Sequence, residues 1–160
     1  MCRAFTMWEK RNTAASSPLT KQGCVLVVED NTDQWVFIQL AFRKSAPAVE
    51  LVLATTVQQA TLYLEECERA GGDYPLLILL DLYTPWRDDS LLLLEAIRRK
   101  TTPLSQTPII MLTASDDQED ITAAFANGSN AYVVKPSSFS AWLDCIHDVN
   151  GQWLSRKRRP

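Results

Sequence analysis

Five apolar runs punctuate the chain, and four of them stop abruptly on a residue that can carry chemistry. Cys24-Val25-Leu26-Val27-Val28 ends at Glu29-Asp30, Leu76-Leu77-Ile78-Leu79-Leu80 at Asp81, Pro108-Ile109-Ile110-Met111-Leu112 at Thr113, and Ala131-Tyr132-Val133-Val134 at Lys135-Pro136. The fifth, Val49-Glu50-Leu51-Val52-Leu53-Ala54, is followed by Thr55-Thr56. Several of these runs lack the polar alternation of a half-exposed strand. Such runs predict strands buried on both faces, as in a parallel sheet covered by helices.

Between the runs the apolar positions recur at helical spacing. A helix is predicted from about Asp33 to Lys44, with Phe37, Ile38, Ala41 and Phe42 on one side and Pro47 just beyond it. Thr56 reads as the N-cap of a second helix with Val57, Ala60, Thr61, Leu64 and Cys67 on its apolar face, stopped by Gly71-Gly72. A loop containing Pro85 leads to a third helix from about Asp89 or Ser90 to Lys100. The acidic segment Asp116–Asp120 opens a fourth, where carboxylates suit the positive end of the helix dipole. Ile121, Ala124 and Phe125 are predicted to face inward there, with Gly128 closing the helix. Ser137 or Ser138 caps a fifth helix carrying Phe139, Trp142, Leu143, Ile146 and Val149 on one face.

Strict alternation of five strands and five helices predicts an α/β domain with helices on both faces of a parallel sheet. Right-handed crossovers narrow the topology. The expected solution at this size is a doubly wound, flavodoxin-like (βα)5 arrangement with strand order 2-1-3-4-5. The domain is expected over 23–153, between an N-terminal tail at 1–22 and a basic tail at 154–160.

Composition leaves this picture intact. The chain has 160 residues, 46% of them hydrophobic and 22% charged, which suits one globular domain. Its formal net charge of −3 gives no general reason to expect nucleic-acid binding. The Arg156–Arg159 tail could bind an acidic surface, but such tails are commonly only soluble ends. Cys2, Cys24, Cys67 and Cys145 form no CxxC pair and match no zinc spacing, so free thiols in a reducing cytoplasm are expected. No apolar run approaches the ~20 residues that span a bilayer, and the N-terminus has no signal-peptide core. The sole histidine, His147, is expected in solvent, which argues against a histidine metal site or triad. Trp142 is expected in the core and Trp153 at the surface.

In a sheet of this kind, ligands bind outside the carboxyl ends of the strands. Glu29, Asp30, Asp81, Thr113 and Lys135 would then converge. Three carboxylates repel one another unless a cation neutralises them. Mg²⁺ suits such a site, because it takes a few carboxylates and keeps waters and phosphate oxygens. Glu29, Asp30 and one oxygen of Asp81 are the expected ligands. The other oxygen of Asp81 can serve as a nucleophile toward phosphorus. Lys135 and the metal supply positive charge, and the Thr113 hydroxyl a hydrogen bond, for a reaction that needs chiefly positioning and charge neutralisation.

Val27-Val28-Glu29-Asp30-Asn31, Leu79-Leu80-Asp81-Leu82-Tyr83-Thr84-Pro85, Leu112-Thr113-Ala114 and Tyr132-Val133-Val134-Lys135-Pro136 together resemble the receiver domain of two-component response regulators. The resemblance covers about Gly23 to Trp153. It implies that Asp81 is the phosphoacceptor and that Glu29 and Asp30 are the acidic metal pair. It implies that the backbone carbonyl of Tyr83 completes a Mg²⁺ site, where Mn²⁺ can substitute. Thr113 and Tyr132 would be the paired switch residues, the hydroxyl moving toward the phosphoryl group and the ring turning inward. Lys135 would bond the phosphoryl group, and Pro136 would follow a peptide bond that is often cis.

The resemblance further implies a phosphoprotein of signal transduction, or a phosphorelay step, in the cytoplasm. Its donor would be a sensor histidine kinase or histidine phosphotransfer protein. Its output would be a changed surface on the fourth helix, fifth strand and fifth helix, where a homodimer could also form. No DNA-binding domain is expected, and no enzymatic turnover beyond self-phosphorylation and slow self-dephosphorylation.

The chain departs from the family in carrying Asp89 where a glycine is common, and Trp86 where a small or polar residue is common. Two other functions fit parts of the pattern. One is a phosphorylation-independent interaction module. The other is a hydrolase of the haloacid-dehalogenase type, which would carry a second aspartate where this chain has Tyr83. Each residue also has an ordinary reading: Glu29-Asp30-Asn31 as a helix-starting turn, Thr113 as a cap, Tyr132 as a packed strand aromatic, Lys135 as a surface lysine.

Overall fold

A computed structural model describes residues 23–155. The strands are β1 (Cys24–Val28), β2 (Glu50–Ala54), β3 (Leu77–Leu80), β4 (Ile109–Thr113) and β5 (Ala131–Val134). They alternate with α1 (Thr32–Ser45), α2 (Val57–Arg69), α3 (Arg87–Arg98), α4 (Gln118–Ala126) and α5 (Phe139–Val149). All five strands are parallel, in the order β2-β1-β3-β4-β5. This is the expected flavodoxin-like fold. β1, β3 and β4 are buried along their whole length, which explains their unbroken apolar sequences.

The sheet divides the interior in two. One cluster takes Leu26, Val28, Ile78, Leu80 and Met111 with residues of α2, α3 and α4, among them Leu64, Leu94 and Ala124. The other takes Val25, Val27, Leu79, Ile110 and Leu112 with Ile38, Phe42, Trp142 and Ile146 of α1 and α5. Odd and even strand residues face opposite sides, as the pleat requires.

Local signals account for most helix ends. Asn31, Thr56 and Ser138 cap α1, α2 and α5 by accepting from Gln34, Gln59 and Ala141 backbone N–H groups. The helix α3 begins two to three residues earlier than its sequence predicts. Trp86 occupies its N-cap position without a side-chain cap bond, so nothing in the local sequence marks the boundary. Asp89 therefore lies in helical backbone, and among the described residues no non-glycine has positive φ. The position often held by glycine makes no demand for one here.

Two assignments of side chains to core or surface change. In α4 the buried residues are Asp120 and Ala124, whereas Phe125 is 50% exposed. Trp153 is half-buried against the α1–α5 cluster rather than exposed, and Leu154 beyond it is buried. The folded unit thus runs past Trp153 through a π-helical turn at Asn150–Leu154, fastened where the Asn150 side-chain amide donates to the Ser45 carbonyl at 2.8 Å. The predicted tail at 1–22, Cys2, and residues 156–160 lie outside the described residues. Cys24, Cys67 and Cys145 are not in disulfides, and His147 is exposed.

Arg98, at the end of α3, ties the far side of the sheet together. Its guanidinium donates to the carbonyls of Gly128, Ser105 and Thr107 and to Asn130 Oδ1, at 2.6–2.9 Å. Gly128 has φ +97°, and a Cβ there would stand 2.8 Å from Arg98 Cγ. Gly128→Ala is therefore expected to destabilise the domain by about 1–3 kcal/mol, through backbone strain and displacement of Arg98. Urea unfolding should show a lower midpoint at unchanged slope.

Candidate functional site

The backbone ladder continues one residue past the strand ends and so positions the site. Glu29 N–H donates to Ala54 O at 2.9 Å, Asp81 N–H to Val28 O at 3.0 Å and Lys135 N–H to Thr113 O at 2.8 Å. Glu29, Asp81, Thr113 and Lys135 are thereby held at one edge of the sheet by the register of the strands themselves. Asp30 follows Glu29 and is exposed.

At the centre lies one ammonium between two carboxylates. Lys135 Nζ stands 2.6 Å from Glu29 Oε2 and 2.7 Å from Asp81 Oδ2. The two acidic residues and Lys135 are nearly enclosed, with side-chain exposures of 2–9%. Burial disfavours the lysine cation, but Asp81 and Glu29 outweigh it and hold Lys135 above the ordinary lysine range. Burial pushes the Glu29 carboxyl up, even though Lys135 and the Asn31 N–H both favour its ionised form. One ammonium thus serves both buried carboxylates. Oxygens of Glu29, Asp30 and Asp81 all lie within 4.8 Å of one another. Hard oxygen donors that close, with a charge deficit, suit a small divalent cation.

The remaining oxygens are also engaged. Asn31 N–H donates to Glu29 Oε1 at 3.0 Å, so the turn that starts α1 also orients the acidic pair. Tyr83 N–H donates to Asp81 Oδ1 at 3.1 Å. The carbonyl of Asp81 accepts from Ser90 Oγ at 3.0 Å and from Thr84 Oγ1 at 3.2 Å, both fully buried hydroxyls. Thr113 is buried at the end of β4, and its Oγ1 accepts from Ser115 N–H at 3.5 Å. Tyr132 packs against the α2–α3–α4 cluster and its hydroxyl donates to the Ser115 carbonyl at 2.9 Å. Pro136 does not follow a cis bond. The cis peptide among the described residues is Thr84–Pro85, and both bonds are X-Pro, so sequence alone could not choose between them.

Sequence reasoning missed a second polar centre beside the first. Asp120 is 4% exposed and accepts from Tyr83 Oη at 2.9 Å, Arg87 Nε at 2.5 Å and Ser115 Oγ at 2.5 Å. Burial raises its pKa, but the bonds from Ser115, Arg87 and Tyr83 prevail and leave the carboxyl below the ordinary aspartate value. A depressed folded-state pKa gives stability that is present above the unfolded value of 3.8 and lost as pH falls through the folded one. Asp120→Asn is therefore expected to remove part of the acid limb of the metal-free protein's stability curve, measured by urea unfolding between neutral pH and the acid transition.

The family profile described as the response regulator receiver domain matches residues 25–147. A probable methanogenesis regulatory protein, FilR2 of Methanothrix harundinacea, is 30% identical over 136 residues, covering 85% of this chain and 86% of the relative. The solved structure of the phosphorylated cyanobacterial phytochrome response regulator RcpA superposes with a TM-score of 0.75 at 29% identity, covering 84% of this chain and 95% of that one. The Mn²⁺-bound form of response regulator Rcp1 gives a TM-score of 0.71 at 26% identity, covering 82% and 94%. With the fold, the strand-end residues and the family profile in agreement, the chain belongs to the response regulator receiver domain family of two-component signalling.

Proposed function

We propose that this receiver takes a phosphoryl group on Asp81 from a phosphohistidine of a sensor kinase or phosphotransfer protein, with Mg²⁺ as the resident cation. The observation that carries this reading is Lys135 Nζ, held within 2.7 Å of both Glu29 and Asp81 at the ends of three strands. In the transfer an Asp81 oxygen forms a bond to phosphorus, the phosphorus–nitrogen bond breaks, and the freed imidazole takes up a proton. Glu29, Asp30, Asp81 and the Tyr83 carbonyl would hold the metal, which when bound neutralises phosphoryl oxygens. The Mn²⁺-bound state of the related Rcp1 supports a divalent cation here, and the acidic cluster supports it independently. Lys135 would shift from carboxylate to phosphoryl oxygen, and Thr113 would donate its hydroxyl to another. Between them they supply the preorganised charge that phosphoryl transfer requires.

The domain would not act as a turnover enzyme. Tyr83 stands where a second aspartate would serve as acid and base. The output would be the surface of α4, β5 and α5, where Phe125 and Val134 are 50% and 45% exposed. A homodimer through that face would fit the same surface. No helix among the described residues is long and apolar enough to cross a membrane. The protein would meet its kinase in the cytoplasm.

Incubation with Mg²⁺ and acetyl phosphate should add one phosphoryl group by intact mass. Asp81→Asn should add none, and Lys135→Ala should slow the addition by roughly 10²-fold, the scale of one lost transition-state donor. A parent protein that gains no mass would overturn the reading.

Tyr83 and Trp86 are 44% and 70% exposed on the loop that follows Asp81. They would limit access of water to the acyl phosphate. Tyr83→Asn and Trp86→Gly are each expected to shorten its half-life by roughly three- to tenfold, a barrier change of ~1 kcal/mol. The loss of added mass over time gives the half-life directly.

A further inference from the structure

Among its buried side chains, α4 inserts one carboxylate into the domain. Only Asp120 and Ala124 of this nine-residue helix are buried. A helix so thinly packed depends heavily on its polar anchor, since most helix stability in proteins comes from the packed face. Asp120 is that anchor. Its three donors come from three places: Tyr83, two residues past Asp81; Arg87, the first residue of α3; and Ser115, two residues past Thr113.

These partners also contact the site described above. Tyr83 donates its backbone N–H to Asp81 Oδ1. Ser115 points its N–H at Thr113 Oγ1 and offers its carbonyl to Tyr132. With its hydroxyl fixed on Asp120 at 2.5 Å, Ser115 has little freedom to reorient either backbone group. A buried and fully engaged carboxylate of this kind acts as a unit with its partners.

We propose that Asp120 is a positioning residue for the switch: by fixing Ser115 it presents the Ser115 N–H to Thr113 and the Ser115 carbonyl to Tyr132, and so couples the occupancy of Asp81 to Tyr132 and α4. This rests on Asp81 as phosphoacceptor. Asp120 touches none of the reacting atoms and acts through Ser115. The bond from Tyr83 gives the coupling a second attachment, on the loop that carries Asp81. Charge arriving at Asp81 then meets a connected two-state element rather than a loose loop.

The test uses beryllium trifluoride with Mg²⁺ as the phosphoryl probe, on full-length protein carrying 3-fluorotyrosine. Fluorine NMR reads the four tyrosines, and Tyr132→Phe assigns the Tyr132 resonance. In the parent, the probe should shift the Tyr132 resonance on saturation. Asp120→Asn and Ser115→Ala are each expected to weaken probe affinity about fivefold, the scale of one lost hydrogen bond. In both, the Tyr132 resonance should stop short of the parent's saturated position. The double variant should bind no more than about twofold more weakly than the weaker single one, because both changes cut the same link.

A merely structural role predicts instead that the two losses multiply while saturated Tyr132 reaches its parent position, and that result overturns the proposal. Parent-like affinity and Tyr132 response in Asp120→Asn overturn it as well. If Asp120→Asn does not fold, Ser115→Ala alone decides: a Tyr132 response identical to the parent's overturns the proposal. A parent that binds no probe instead removes the phosphoacceptor reading, and the coupling with it.

Discussion

A single ammonium group makes the strand-end arrangement tenable. Parallel β1 and β3 bring Glu29 and Asp81 side by side because their backbones are locked in register. Both side chains are buried, and two buried carboxylates without a cation would drive protonation or opening of the sheet edge. Lys135 arrives from β5, two strands away from β3, and reaches back across β4 to touch both. The strand order, the stops of the apolar runs and the burial of the site are thus mutually dependent. Yet one ammonium faces Glu29 and Asp81 together, and Asp30 adds a third carboxylate beside them. Three carboxylate groups against one ammonium suit the site to a further cation.

Most of this was legible because a doubly covered parallel sheet writes itself plainly. β1 and β5 match their predicted spans, β2 and β3 begin one residue later, and β4 is shifted by one residue at both ends. A strand that must be apolar on both faces can change to polar only where it leaves the sheet, so its last residue is also its most informative. The N-cap Thr56 is similarly readable, and the cap of α5 is narrowed to Ser137 or Ser138, since such side chains bond to backbone nearby.

The missed features depend on partners far away in sequence. Asp120 stands on a helix whose neighbour Phe125 looked like the better core residue. Its burial is stabilised by Tyr83 and Arg87, 37 and 33 positions earlier, which no local pattern reveals. The start of α3 is unmarked in the sequence because Trp86 supplies no side-chain cap. The role of Leu154 depends on a surface built by α1 and α5. In each case local composition argued for one environment and tertiary pairing imposed another.

The sheet also acts as a partition. Tyr83, Arg87, Ser115, Asp120 and Tyr132 are joined on the side of α2, α3 and α4, whereas the α1–α5 side holds Phe37, Phe42, Phe139 and Trp142 in aliphatic and aromatic packing. The polar network and the aromatic packing are thus separated by the thickness of the sheet, so a change of side-chain volume among Phe37, Phe42 and Trp142 reaches the network only through the strands between them.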